Sequence, residues 1–423
     1  MWIRHRVEAE VGGHLLECHV RTAVPRDPRD VPAELLGIRL GHSDILPTRP
    51  HRASQFRCHP VVHQTLTSDS LSCLELPTYV SIIMRTSPMI SVIVAAHDLQ
   101  GQLESCLRSI LNQSFRDLEV VAVLDQSPEC PANVVDDYAQ RDGRVSVVRL
   151  KGVVGIGRIR NAGAEHAAGD YLLFLDSDHI VGSTTLQAMA DQLQATDEPD
   201  VLLFGHTRLH HRRSWHGAAA ELIAQQGRES FAPIDLPELF GAPAYSWDRL
   251  FRRDMWIRQH LSFPDGLYEE VSAVHRAMLA ADRIGVLRWN CVQIRRRLTQ
   301  HPADAPGGTH FDVFARYEES FGLLQERTAL DALAPFLFTR MIRHYLFLLN
   351  LEGCLSRAER PQFFQRASEH YRRFLPDGYE RPDGREGVKF QLVASGMYSA
   401  FEAARLPQLA RGFVSRGATV RGR

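Results

Sequence analysis

Three apolar runs of this chain end in acidic residues. YLLFL (171–175) runs into Asp176-Ser177-Asp178, VVAVL (120–124) ends at Asp125, and SVIVAA (91–96) ends at His97-Asp98. If each run is a buried strand, its carboxylates emerge at the strand tip, where open α/β sheets bind their ligands. Two carboxylates one residue apart on such an edge can face one hard divalent cation. Mg²⁺ and Mn²⁺ take oxygen ligands of this kind and share them with substrate phosphates. The same spacing also arises in a plain turn after a strand. Between Asp125 and Asp176 lies Gly155-Ile156-Gly157-Arg158-Ile159-Arg160-Asn161-Ala162-Gly163. Glycines, two arginines and the start of a helix suit phosphate oxygens. A glycine-rich loop with solvated arginines has the same composition.

Strand tips require a sheet. Residues 90–95, 118–124, 145–150, 171–175 and 201–204 read as strands, the first two and 171–175 buried, and 101–112, 134–140, 156–168 and 184–195 have helical spacing. Gly169 stands where a helix C-terminus is expected. Strand and helix alternate for more than a hundred residues, which predicts βαβ units, a mostly parallel sheet and right-handed crossovers. The region 210–300 is mixed. Beyond 310 the spacing is helical, over 311–324, 329–351, 360–374 and 391–404.

The chain has 423 residues, of which 44% are hydrophobic and 23% charged, and this excludes a disordered or collagen-like protein. Lys plus Arg number 49 against 50 acids, a balance that argues against a general nucleic-acid binder. Seven irregularly spaced cysteines are no disulfide framework, and a reducing compartment is expected. The N-terminus lacks the apolar run of a signal peptide. The most apolar segment, 335–351, is interrupted by Arg340, Arg343 and His344 and reads as an amphipathic helix rather than a membrane span. His14, Cys18, His19, Cys58, His59 and His63 are zinc-type ligands, but in no finger spacing.

Four motifs now bring a family into view. They are PMISVIVAAHD (88–98), CLRSILNQSFRDLEVVAVLDQS (106–127), GRIRNAG (157–163) and GDYLLFLDSD (169–178). In order and spacing they resemble the family 2 glycosyltransferases, and the likeness continues more loosely through WDRLFRR (247–253) and FPDGLYEEV (263–271) to RRRLT (295–299). It covers about half the chain.

The resemblance implies a GT-A fold, that is, a Rossmann-like, mostly parallel sheet flanked by helices, followed here by a C-terminal α-helical extension. Four segments are expected: an N-terminal arm or small domain over 1–86, the GT-A domain over 87–300, the helical extension over 301–404 and a basic tail over 405–423. A natural start at Met84 or Met89 would place the first segment outside the native protein. The implied activity is a metal-dependent, inverting transfer of a sugar from a nucleotide-diphosphate donor, UDP-linked by default. The acceptor would be a hydroxyl of a cell-surface glycan, polyol phosphate, lipid carrier or natural product. No nucleic acid is involved. The enzyme is expected in the cytoplasm, with peripheral contact at the inner membrane face through the helices and basic tail. The alternative is a domain without catalysis that binds sugar nucleotides or glycans.

Residue by residue, Asp125 matches the carboxylate that holds the nucleotide base. Ala95, His97 and Asp98 match the first loop over the nucleoside. Arg158 and Arg160 fall near the diphosphate. Asp176 faces ribose or donor sugar, and Asp178, with Asp176, holds Mg²⁺ or Mn²⁺. Glu270 takes the place of the general base, with Glu269 as the second choice. The sequence departs from the family at Ala95 and His97, where Pro and Tyr are usual, and at Glu270, where Asp is usual. His179 follows the DxD motif where an acid is usual and is expected to be a packed side chain. Trp247 is read as a sugar platform or a structural residue, Arg295 to Arg297 as reaching toward the diphosphate, and His310 as a cover for the site or a further ligand.

Overall fold

The computed structural model describes residues 2–11, 14–23, 80–83, 87–96, 102–127, 132–210, 213–225, 227–295, 307–326 and 328–404. His97, Asp98, Arg296, Arg297, the basic tail and the side chains of the zinc-type residues lie outside the described residues. The chain divides into two compact units, 1–86 and 87–423. In the first, β1 (Trp2–Val11) and β2 (His14–Ala23) form an antiparallel hairpin, and β3 (Val80–Ile83) pairs antiparallel with β2.

The second unit is built on a mixed sheet. Its first half alternates as expected: β4 (Ile90–Ala95), α1 (Gln102–Leu111), β5 (Leu118–Leu124), α2 (Ala132–Arg141), β6 (Val145–Arg149), α3 (Ile156–His166), β7 (Tyr171–Asp176), β8 (His179–Val181), α4 (Thr185–Ala195) and β9 (Val201–His210). Then follow β10 (Arg213–His216), α5 (Ala218–Gln225), β11 (Ser230–Phe231), β12 (Arg249–Arg252), α6 (Arg253–Arg258), α7 (Glu269–Ala280) and β13 (Ile284–Arg295). The strand order is β11-β13-β9-β12-β7-β4-β5-β6, with β10 on β9 and β8 on β13. β4 pairs parallel with β5 and β7, and β5 with β6. β12 is inserted antiparallel between β7 and β9. The chain winds from β4 outward through β5 to β6, then returns to the other side of β4 as β7. That reversal opens a crevice at the carboxyl edge of β4, where ligands of open α/β sheets bind.

Side chains alternate across this sheet and feed two cores. Ile93, Val121, Val123, Leu172 and Phe174 face one; Val92, Val94, Val120, Leu173 and Leu175 face the other. Runs buried on both faces are why these strands read as continuous apolar segments. α3 lies hard against β4 and β5. A Cβ on Gly163 would come within 2.3 Å of Ile93 Cγ2, so the glycine is there for close helix–sheet packing.

The helical part comprises α8 (Asp312–Glu326), α9 (Ala334–Asn350), α10 (Glu359–Phe374) and α11 (Gly384–Ala394). It belongs to the same compact unit as the sheet. The expected helix over 391–404 breaks at Gly396, whose φ of +67° ends one turn before residues 398–404 start the next. The helical stretch Leu330–Asn350, which ends in α9, is the one among the described residues long and apolar enough to cross a membrane by composition. Just over half of that stretch, 56%, is packed inside the fold, including Leu337, Phe338, Met341, Ile342 and Tyr345. Tyrosine–histidine pairs stitch the helices together: the Tyr317 hydroxyl meets His344 Nδ1 at 3.2 Å and the Tyr345 hydroxyl meets His370 Nδ1 at 2.9 Å. Burial holds these imidazoles neutral, pushing His370 down to about 4 and His275 of α7 down to about 3.

Candidate active site

The strand tips meet where the spacing requires. Ala95 lies opposite Val123 on one side and Asp176 on the other. Asp125 is two residues beyond Val123, so Ala95, Asp125 and Asp176 share one edge. Neighbouring strands are about 4.8 Å apart, which sets the Asp125 and Asp176 strands about 10 Å apart. Asp125 ties that edge together: Oδ1 accepts from the Ser127 N–H (3.0 Å) and hydroxyl (2.6 Å), and Oδ2 from the Val154 N–H (3.1 Å). The loop entering α3 is thereby held against the β5 tip.

Asp176 and Asp178 flank Ser177 at the β7 tip, and His179 opens β8. One ligand atom from each of Asp176, Asp178 and His179 lies within 4.8 Å of the others. The turn is clamped from several sides. The Asp176 N–H donates to His179 Nδ1 at 3.1 Å, and the Arg295 N–H to the Asp178 carbonyl at 3.2 Å. The Gln113 amide donates to the Gly182 carbonyl (2.6 Å) and accepts from the Leu186 N–H (3.1 Å). With Nδ1 accepting, the neutral His179 ring carries its proton on Nε2. That nitrogen points at Asp178 Oδ1 from 3.6 Å. His179 is 2% exposed and packs edge-on to Trp247 at 5.1 Å, as a packed histidine would. A two-carboxylate oxygen set fits a hard divalent ion that keeps waters and phosphate oxygens as its other ligands.

Arg160 is buried among carboxylates. Its side chain is only 4% exposed and is gripped by three carboxylates: Asp176 Oδ1 at 3.0 Å, Glu269 Oε1 at 2.5 Å and Glu270 Oε1 at 3.4 Å. The reason is electrostatic, because three acids gathered at one buried point require a cation. Burial works against the Arg160 charge, but Asp176, Glu270 and Glu269 outweigh it and hold the proton well above the ordinary arginine range. Arg158 faces outward in a solvent-exposed, two-pronged pair with Asp265 at 2.7 and 2.8 Å.

Glu269 and Glu270 open α7. Burial pushes Glu269 up, against the pull of Arg160. Burial pushes Glu270 up to about 7; Arg160 lowers it, Glu269 and Asp176 raise it further, and Ser246 lowers it. Ser246 donates to Glu270 Oε1 through its N–H at 3.0 Å and through its hydroxyl. Nothing in the spacing of the sequence singles out Ser246.

The turn before the glutamates is fixed at both ends. Asn161 exchanges two 2.8 Å hydrogen bonds with the backbone of Phe263. A Cβ on Gly157 would come within 2.7 Å of the Pro264 carbonyl and 3.4 Å of Glu269 Cγ, so the glycine lets α3 approach the turn. At the far end Asp312 Oδ2 accepts from the Leu267 N–H at 2.9 Å, and Tyr268 meets His310 Nδ1 at 2.6 Å. His310 thus holds the turn from behind and stands outside the Asp176–Asp178–His179 group. Tyr268 has φ +59°, a left-handed conformation unusual for a bulky residue, of the kind that persists only where surroundings enforce it. Trp247 stacks on Tyr245 at 4.5 Å with its Nε1 buried, which is structural packing.

A mixed sheet with a parallel β7-β4-β5-β6 half, a switch point at β4, β12 inserted antiparallel between β7 and β9, and an acidic carboxyl edge defines a GT-A fold. Residues 91–244 match the family model described as Glycosyl transferase family 2, so the chain carries a family 2 glycosyltransferase domain. It is 26% identical over 266 residues to EpsH of Bacillus subtilis (strain 168), a glycosyltransferase by its name, covering 61% of this chain and 75% of EpsH. It is 22% identical over 225 residues to glycosyltransferase GlyG of Streptococcus pneumoniae, covering 50% of this chain and 72% of GlyG. Among solved structures, S. aureus TarS 1-349 in complex with UDP-GlcNAc superposes with a TM-score of 0.58 at 18% identity, covering 76% of this chain and 92% of that one. That likeness is one of fold.

Proposed function

We propose that this glycosyltransferase moves a sugar, with inversion, from a nucleotide-diphosphate donor to an acceptor hydroxyl, and that Glu270 is its base. The observation that carries this reading is the buried cluster in which Arg160 binds Asp176, Glu269 and Glu270 together at the carboxyl edge of the sheet. A carboxylate raised to about 7 is matched to removing a hydroxyl proton near neutral pH. Ser246 and Arg160 both address Oε1, which leaves Oε2 to receive that proton. Glu269, in the tighter contact with Arg160, is a positioning residue. If Glu270 and the leaving group lie on opposite faces of the anomeric carbon, the displacement inverts configuration.

The donor would lie along the edge from Asp125 to Asp178. Asp125, Ala95, His97 and Asp98 would bound the nucleoside, Asp176 would face ribose or sugar, and Asp178 with Asp176 would hold Mg²⁺ or Mn²⁺. Such an ion supplies Lewis-acid neutralisation of the departing diphosphate. Arg158 and Arg295 are the nearest candidates on this chain for further positive charge. A UDP-sugar is the favoured donor, in keeping with TarS having been crystallised with UDP-GlcNAc. The acceptor is assigned to the glycan, polyol, lipid-carrier or natural-product hydroxyls. The reaction is assigned to the cytoplasm, with peripheral attachment to the inner membrane face.

A thermal-shift screen of UDP-, GDP- and TDP-sugars, each with Mn²⁺ and with EDTA, tests the donor reading. One sugar nucleotide should stabilise the protein with Mn²⁺ and not with EDTA, and slow metal-dependent release of its nucleotide should follow. A protein stabilised by no sugar nucleotide would refute the assignment. Donor binding without nucleotide release under any condition would mark a binding module instead.

A further inference from the structure

β13 breaks the rule of strand alternation in its middle. Arg288, Trp289 and Asn290 are all exposed in succession, with Trp289 47% exposed. The pairing with β9 explains it: Leu287 lies opposite Phe204 and Asn290 opposite Gly205, so two extra residues bulge outward between adjacent partners. Bulges of this kind re-aim side chains. Here the indole lands in a cavity of about 240 Å³, between β13 and α5, whose walls include Gly205, His216, Glu221, Arg288 and Asn290. The polar wall is built. Asn290 Nδ2 donates to His216 Nδ1 at 3.1 Å, which leaves the His216 Nε2–H as a donor. Gly205 makes room for the amide, since a Cβ there would fall 2.3 Å from Asn290 Oδ1.

An aromatic face in a concave site, with Ala220, Ile223 and Ala224 beside it and an amide, an imidazole, a carboxylate and a guanidinium around it, suits a sugar ring. The C–H face of a sugar ring packs on the indole, and its hydroxyls take donors and acceptors from the rim. We infer that the Trp289 pocket is a saccharide-binding subsite that grips the acceptor glycan away from the point of transfer. The inference rests on the glycosyltransferase reading with a glycan acceptor. Arg295, at the end of the same strand, binds the Asp178 carbonyl. Six residues separate it from Trp289, a span of at most about 20 Å at strand rise. A chain of several sugars would therefore bridge the two sites, and acceptor length would set affinity.

The test uses full-length protein with ¹⁵N-labelled indoles. Five tryptophan signals are expected, and that of Trp289 is assigned by its loss in Trp289→Phe. Maltotetraose, isomaltotetraose and chitotetraose are titrated separately. At least one should shift the Trp289 signal saturably, and Trp289→Ala should weaken its binding about tenfold or more. Because Trp289 is half exposed, the variant should keep the wild-type circular dichroism. Ala224→Trp, which fills the cavity from α5, should block binding with Trp289 intact. The inference is overturned if no oligosaccharide moves the Trp289 signal, or if Trp289→Ala and Ala224→Trp bind like wild type. It is also overturned if anionic vesicles move that signal and the sugars do not, since the pocket would then be a membrane contact. Sugar-nucleotide stabilisation of the wild type, measured on the same samples, reports on the donor reading separately.

Discussion

Replacing Glu270 with glutamine should slow the enzyme and stabilise it, and the two effects have one origin. Glu270→Gln keeps an oxygen to accept from Ser246 but removes a charge from a cluster of three acids around one cation. Arg160 retains Asp176 and Glu269. The carboxyl is raised from 4.5 to about 7 in the folded protein, so the folded state binds its proton more tightly than the unfolded chain. Stability is therefore lost as pH rises from 4.5 toward 7 and stays lost above. Full ionisation costs about 3 kcal/mol, and the glutamine should recover roughly 1–3 kcal/mol of it. In calorimetry this is a rise in melting temperature of roughly 2–6 °C at pH 8. The gain should vanish well below pH 4.5, where Glu270 is protonated in both states. Turnover should fall by roughly 10²–10⁴-fold, with donor affinity little changed. A variant that melts lower than wild type at pH 8 would refute the charge-crowding argument. One that turns over normally would move the base, first to Glu269.

Turnover per bound substrate should rise about tenfold per pH unit below about 7 and level off above it, because Glu270 acts when deprotonated; a flat profile across this range would count against Glu270. Asp178→Ala should abolish the Mn²⁺-dependent part of donor stabilisation, read by thermal shift, and normal nucleotide affinity in the presence of metal would contradict its assignment. Arg160→Met should destabilise the fold by about 3–5 kcal/mol at neutral pH, because it leaves buried carboxylates without their cation; denaturant unfolding measures this, and the loss should shrink as pH falls. Asn161→Ala should cost about 1–3 kcal/mol by stranding the Phe263 backbone and should lower kcat more than donor affinity; unchanged melting and kcat would show that the turn does not depend on it.

What could be read from the sequence was what short-range order encodes. The strands β4, β5 and β7 are buried on both faces, so their apolar runs and the acids that end them stand out without knowledge of their neighbours. Asp125, Asp176 and Asp178 were legible for that reason. The role of Arg160 was not, because its nearest carboxylates include one 109 residues away, and only the return of the chain after β12 brings Glu269 and Glu270 to it. A glycine-flanked arginine at a helix start reads as a phosphate ligand by composition alone. Asn161, Ser246 and Asp312 are of the same kind: each acts through a backbone or carboxyl group far off in sequence. The region 210–300 looked mixed because β12 is only four residues long and buried along most of it, and β13 bulges, so neither keeps a clean period of two. The helical extension explains itself only once α7 is in place. Tyr268, held left-handed by its bond to His310 and by the grip of Asp312 on the preceding residue, Leu267, is a turn that those C-terminal elements keep from relaxing. The glutamates that follow it are therefore aimed by the helices as much as by the sheet, and a segment with no reacting group of its own fixes the geometry of the candidate base.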